Sequence, residues 1–366
     1  MRPEQLRATV PAGASVAEEV RAIIADVRAR GDAAIAELEE RFAVSHTEVP
    51  VPADALRLAY DNVYAVARAS LAGDRDVALP QGQSVRVREV PVRRAGVYAP
   101  GGQAPYPSSV IMGVATARAA GVEEVAVCAT HPVMRAAAEL AGADEIHAMG
   151  GAQAVAALAY GTESVRAVDV IVGPGSLYAQ EAKRQVAHVV GIDGFAGPSD
   201  LLIIASEFSD RVRLDAVAQA EHGAGTVVAV LGVDPPDLGA VTTIPVADLE
   251  EALAFSEAFA PEHLQLVGTE AEALAPRVTR AGCVFVGAEA GTAFGDYVAG
   301  SNHVLPTEGA ARFASGLNVR HFLRVMNEVH IDPDAAAALA PAGAAIADAE
   351  GFAAHAASMR ARMDAP

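Results

Sequence analysis

The segment VAEEVRAIIADVRARGDAAIAELEERF repeats apolar residues at helical spacing, with a glycine break between its halves. From Val97 onward the pattern changes. Short Val/Ile/Ala-rich runs alternate with longer amphipathic stretches, the order expected of a parallel sheet covered by helices. The strand candidates fall in two groups: GVYA, EVAVCAT, EIHAMG and VDVIVG, then LLIIAS, TVVAVLG, LQLVG and CVFVG. The turn-rich stretch GIDGFAGPSD separates them and marks a crossing point. After about Leu317 the chain reads as helices with too little apolar bulk for a domain of their own. The pattern predicts an α/β fold: two Rossmann-like α/β domains with parallel-rich sheets, plus a helical C-terminal tail. Residues 1–97 and 201–317 form a discontinuous α/β domain with N-terminal helices, 98–200 a second α/β domain, and 318–366 the tail.

Composition narrows the function. A chain of 366 residues, 52% hydrophobic, has enough apolar bulk for two cores. With 27 Lys+Arg against 46 Asp+Glu the formal charge is -19, and no basic cluster is present to neutralise a row of phosphates, which argues against nucleic acid as a partner. The opening MRPEQLRATVPAGASV has no apolar core of a signal peptide, and no run is apolar long enough to span a bilayer, so the cytoplasm is the expected location and a membrane is not an expected partner. Cys128 and Cys283 both fall in strand-like apolar runs without a charged neighbour, so neither is expected to act chemically.

Candidate chemistry lies at the ends of these runs. A G-x-G-x-x-G turn is absent after GVYA, where APGGQAPYPSS follows, but VDVIVGPGSLYAQEAKRQV reads as strand, glycine turn and helix, whose first amides can receive an anion. A second Gly-x-Gly group is GAG at Gly223 to Gly225. In SDRVRLDAVAQAEHGAG the pair Ser209/Asp210 can cap a helix that Gly223 ends, with Gln219 and His222 three apart on one face of its last turn, within reach of a single ion. FGDYVAGSNHVLPT adds Asp296 and His303, and AEGFAAHAA adds Glu350 and His355, carboxylates and imidazoles of the kind a hard-to-borderline cation takes. Between a helical run and a buried strand, FAPEHLQL sets two titratable groups side by side, Glu262 and His263.

Together VYAPGGQAPYPSSV, GGAQAVAALAYGTESV, VDVIVGPG, EAKRQV, GPSDLLIIA, QAEHG, FAPEHL and GDYVAGSNHVLPT resemble, in order, the histidinol dehydrogenase family over roughly Val97 to Leu317. The resemblance implies a homodimeric zinc enzyme that oxidises L-histidinol to L-histidine through an aldehyde, using two NAD molecules in succession. It implies that Gln219, His222, Asp296 and His355 hold the zinc, with His355 supplied by the partner subunit. The substrate would meet Ser199, Gln219, His222, His263, Asp296, His303, Glu350 and His355, while Tyr98, Gln153 and Ser176 would line the NAD site in residues 98–200.

On this reading PEHL has a chemical purpose. A four-electron oxidation of an alcohol needs a base for the hydroxyl proton and one that activates water against the aldehyde. His263 suits the alcohol and its later hydrate, and Glu262 the water. Ser176 stands where the family usually has Asn, in GPGS, which predicts a weaker hold on NAD. The stretch VLGVDPPDLGAVTTIPVADLEEAL is shorter than its family counterpart. Two alternatives are a dehydrogenase of the same fold acting on another small polar alcohol, such as a sulfonated diol, and a non-catalytic two-domain ligand-binding protein. Retention of the whole ligand set disfavours the first, and the lack of a signal peptide the second.

Overall fold

The computed structural model describes residues 2–7, 15–43, 45–99, 101, 104–195, 197–207, 209–222, 226–231 and 241–363. Pro100, Gly102, Gln103 and the GAG group at Gly223 to Gly225 lie outside them. The chain divides into two compact units, 1–70 with 92–322, and 71–91 with 323–366.

The smaller unit is an antiparallel sheet with two helices. Its strands β1 (Arg75–Ala78) and β2 (Ser84–Pro91) form a hairpin, and a late strand, Leu323–His330, pairs along the whole of β2 from Leu323 opposite Pro91 to His330 opposite Ser84. That strand is an addition to the mostly helical tail expected after about Leu317. LRVMNEVH carries little helical or strand signal because nearly all of it is exposed, so no buried face marks its period. Its partner lies more than 200 residues earlier in the chain. The helices Pro333–Ala349 and Ala353–Arg360 do follow, packed through Ala344, Ala347, Ala356 and Met359.

The larger unit holds two five-stranded parallel sheets. In the first, β3 (Arg94–Tyr98), β4 (Glu124–Cys128), β5 (Glu145–His147), β6 (Val170–Val172) and β7 (Gly191–Ile192) run in the order β5-β4-β3-β6-β7. In the second, β8 (Asp200–Ala205), β9 (Val227–Leu231), β10 (Thr242–Ile244), β11 (His263–Val267) and β12 (Cys283–Val286) run in the order β10-β9-β8-β11-β12. The late strand of the smaller unit is therefore β13. Strands β3, β8, β9 and β11 are buried along their full length, as continuous apolar runs require when helices cover both faces. Small residues let the cover sit close: a Cβ on Gly113, in the helix Pro107–Ala120, would stand 2.5 Å from Val97 on β3. The N-terminal helices Ala17–Arg30 and Asp32–Arg41, broken at Gly31, share a core with the helix Gly151–Tyr160 through Val20, Ile24, Val27 and Leu38. Among the described residues no helix is long and apolar enough to cross a membrane.

The candidate residues lie at two edges of these sheets. Tyr98 and Val172 end β3 and β6, whereas Asp200 and His263 begin β8 and β11. The helix Asp210–Ala220 runs back from β8 to the start of β9, so its last turn also reaches the N-terminal edge of the second sheet.

Candidate active site

Glu262 and His263 are set by a tight exit from a helix. Leu249–Phe259 ends at Ala260, a buried non-glycine residue at φ 52°, and Pro261 follows. A left-handed alanine costs on the order of 1–2 kcal/mol, so the surrounding contacts dictate this turn. Because β11 pairs in parallel with β8, His263 opposite Leu201, the turn brings Glu262 beside Ser199 and Asp200. The Glu262 amide donates to Asp200 Oδ1 at 2.7 Å, and the Asp200 amide donates to Glu262 Oε2 at 3.1 Å. The Ser199 hydroxyl also donates to Oε2, and the Cys283 amide donates to the Glu262 carbonyl at 2.9 Å.

His263 is enclosed, 2% exposed, and stacked on Phe285. Its Nδ1 lies 3.5 Å from Glu262 Oε2, and its Nε2 lies 3.7 Å from Asp296 Oδ1. Burial alone would lower its pKa, but the Asp296 and Glu262 carboxylates outweigh burial and raise it well above the usual imidazole range. Asp296 shows the converse: burial works to raise its pKa, and His263 leads the groups that bring it below the usual carboxylate range. Each imidazole nitrogen of His263 thus lies close to a carboxylate, Nδ1 to Glu262 and Nε2 to Asp296.

The expected cation ligands converge in part. Gln219 is buried in the last turn of Asp210–Ala220, and His222 lies two residues past the helix end, with Nε2 3.8 Å from Asp296 Oδ2. The helix begins at Asp210 as expected, but Ser209 makes no side-chain capping bond; Glu221 is its C-cap, and Gly223 lies outside the described residues. Gln219 Nε2 donates to Ser199 Oγ at 2.6 Å, which leaves Gln219 Oε1 buried with no hydrogen-bond donor among the described residues. An orphaned amide oxygen beside an imidazole and a carboxylate fits a zinc ion, which would supply the missing partner. Among the described residues no three His, Cys, Asp or Glu side chains gather for a metal, and Gln219, an amide, is not of those types. His303 closes the larger-unit cluster: Nδ1 lies 2.7 Å from the Asp296 carbonyl and Nε2 3.0 Å from Ser109 Oγ, and burial leads in holding its pKa low.

In the smaller unit Glu350 is the C-cap of its helix and Gly351 turns the chain at φ 80°, so His355 starts afresh on the next helix beside Phe352. Both Glu350 and His355 are exposed in the single chain.

The C-terminal edge of the first sheet carries the expected coenzyme residues. Tyr98 is buried, its hydroxyl accepts the Gly151 amide at 3.1 Å, and burial pushes its pKa up to about 12. Gln153 donates to Glu39 Oε1 at 2.8 Å, and Ser176 is the exposed N-cap of Leu177–Val186 with no side-chain capping bond. The intervening turn is clamped by a buried ion pair that no local pattern in the sequence marks. Lys183 Nζ donates to the Gly173 carbonyl at 3.0 Å, the Gly173 amide donates to Asp193 Oδ2 at 2.6 Å, and Lys183 pairs with Asp193. Gly173, at φ 117°, tolerates no side chain because a Cβ would lie 2.0 Å from the Tyr98 carbonyl. A lysine in a helix and an aspartate ten residues later carry no local sign of such a clamp. The two cysteines are free, and burial raises both thiol pKa values.

Comparison with known proteins identifies the family. The histidinol dehydrogenase family model matches residues 7–243 and 237–363. The histidinol dehydrogenase of Ruegeria pomeroyi is 41% identical, with 94% of this chain and 92% of that protein covered. That of Halobacterium salinarum is 40% identical, with 96% and 94% covered. The crystal structure of histidinol dehydrogenase from Elizabethkingia anophelis superposes with a TM-score of 0.88 at 27% identity, covering 97% of this chain and 93% of that one. With the family model matched along most of its length and relatives at about two-fifths identity over nearly all of it, the chain belongs to the histidinol dehydrogenase family.

Proposed function

We propose that this protein oxidises L-histidinol to L-histidine through L-histidinal, as a cytoplasmic, zinc-dependent homodimer that uses two NAD molecules in succession. The observation that carries the reading is the meeting of Glu262 and His263 with Asp296, His222 and the unpaired Gln219 Oε1 at one sheet edge. Gln219, His222 and Asp296, with His355, would hold the zinc, which would orient the amine and imidazole of the substrate. NAD, received along Tyr98, Gln153 and Ser176, would accept a hydride in each half of the reaction.

The residues of the chain then move protons. His263 takes the proton of the alcohol as the hydride leaves its carbon. Glu262 takes a proton from water as the water oxygen bonds to the aldehyde carbon, and the carbonyl electron pair moves to the aldehyde oxygen. That oxygen receives the proton His263 gained, which returns the imidazole to its basic form. His263 then deprotonates the hydrate as the second hydride departs, leaving the acid. Ser199, His303 and Glu350 complete the substrate contacts.

A panel of alcohols assayed with NAD tests the reading. L-histidinol should be turned over with two NADH formed per substrate consumed, and zinc should be found in the purified protein. Faster turnover of a sulfonated diol would replace this reading with the paralogous one. A smaller effect is expected at Ser176. Ser176→Asn should tighten NAD about fivefold, the value of one ordinary hydrogen bond of about 1 kcal/mol, as read by isothermal titration. An unchanged affinity would mean that this position makes no contact with the coenzyme.

A further inference from the structure

Asp200 belongs to none of the roles above, yet it is the residue most tightly joined to Glu262. It is 4% exposed and heads β8 beside the entrance to β11. The two residues exchange hydrogen bonds: the Asp200 side chain holds the Glu262 amide, and the Asp200 amide holds the Glu262 side chain. With the Ser199 hydroxyl, these contacts load one oxygen only. Among the described residues Oε2 takes every hydrogen bond that the Glu262 carboxylate accepts.

We infer that Asp200 is a positioning residue for the water-activating step, fixing Glu262 so that Oε1 is the oxygen that receives the proton of water. This rests on the assignment of Glu262 above. The step is balanced as follows: the water oxygen forms the bond to the aldehyde carbon, its proton passes to Glu262 Oε1, and the carbonyl π pair moves to the aldehyde oxygen, which takes the proton held by His263. The charged groups around the Asp200 carboxyl are Glu262, Arg7 and His263, and burial followed by the charge of Glu262 raises its pKa to about 7. A carboxyl readily neutral at that pH acts here as a hydrogen-bond acceptor, a task an amide can also perform.

Three variants test this in the intact protein, with the alcohol half read as the first hydride transfer from L-histidinol and the aldehyde half as turnover of added L-histidinal. Asp200→Ala should slow the aldehyde half on the order of ten- to hundredfold through misplacement of Glu262. Its alcohol half and its KM for L-histidinal should stay within about twofold of wild type. Asp200→Asn keeps an acceptor and should restore the aldehyde half. Should Asp200→Ala not fold, Asp200→Ser, which ends an atom short, carries the same expectation. Equal slowing of both halves with a lowered Tm would make Asp200 merely structural, and an Asn variant as slow as Ala would reject the hydrogen-bond role; either overturns the inference. Glu262→Gln is the control: if it slows both halves equally, the assignment of Glu262 itself fails, and this role of Asp200 with it.

Discussion

Glu262→Gln should still carry out the first hydride transfer from L-histidinol and then stall before the acid, whereas His263→Asn should lose both halves of the reaction. The reason is that the two bases face different groups. Glu262 is fixed by Ser199 and Asp200, and a glutamine can keep those bonds through its amide oxygen, so the variant changes basicity and little else. Loss of a general base costs about 10²- to 10⁴-fold, and in Glu262→Gln that loss should fall on the aldehyde half alone. His263 lies between Glu262 and Asp296 and is proposed to serve both the alcohol and the hydrate, so no half of the cycle should escape its removal. Rapid-quench measurement of the first NADH, beside steady-state turnover of added L-histidinal, separates the two cases. A Glu262→Gln enzyme equally slow in both would refute the division of labour.

The legible parts of this molecule are those with local periods. Eight of the ten strands of the parallel sheets are visible as apolar runs, because period is a local property of the chain; the two-residue β7 and the three-residue β10, at the sheet edges, are too short to show one, and His222, read with Gln219 on one helical turn, lies just past the helix end. The break that separates Glu350 from His355 is likewise visible at Gly351, since a glycine past a helix end admits a positive φ. What stayed hidden depends on distant pairing. Strand β13 has exposed faces and meets β2 only in the fold. Asp200 and Glu262 are 62 residues apart, and only the parallel register of β8 and β11 joins them. The carboxylates and imidazoles are visible near strand ends, but their order along the chain does not show which end. In the second sheet they gather at the N-terminal edge, opposite to the usual rule for open α/β sheets, because the helix Asp210–Ala220 returns its last turn to that edge.

A mixed dimer should regain activity that neither parent has. In the proposed site the larger unit would supply Gln219 Oε1, His222 and Asp296, which would leave a cation short of one protein ligand for tetrahedral coordination. His355 is the residue proposed to provide it, from the partner subunit, and it is exposed in the single chain together with Glu350. The break at Gly351 makes the arrangement workable. On one continuous helix, residues five apart differ by about 140° in direction, but the chain turns between Glu350 and His355, so a carboxylate and an imidazole can serve one neighbouring site. His355→Asn and His263→Asn should each be inactive as homodimers. In their heterodimer one site combines both defects and the other has neither, so about half of the wild-type activity per heterodimer should return. Random exchange of equal amounts makes half of the dimers mixed, and the preparation should therefore reach about a quarter of wild-type activity. If each chain completes its own site, every site in the mixture keeps one defect and NADH production stays at the level of the parents, which would return His355 to its own subunit.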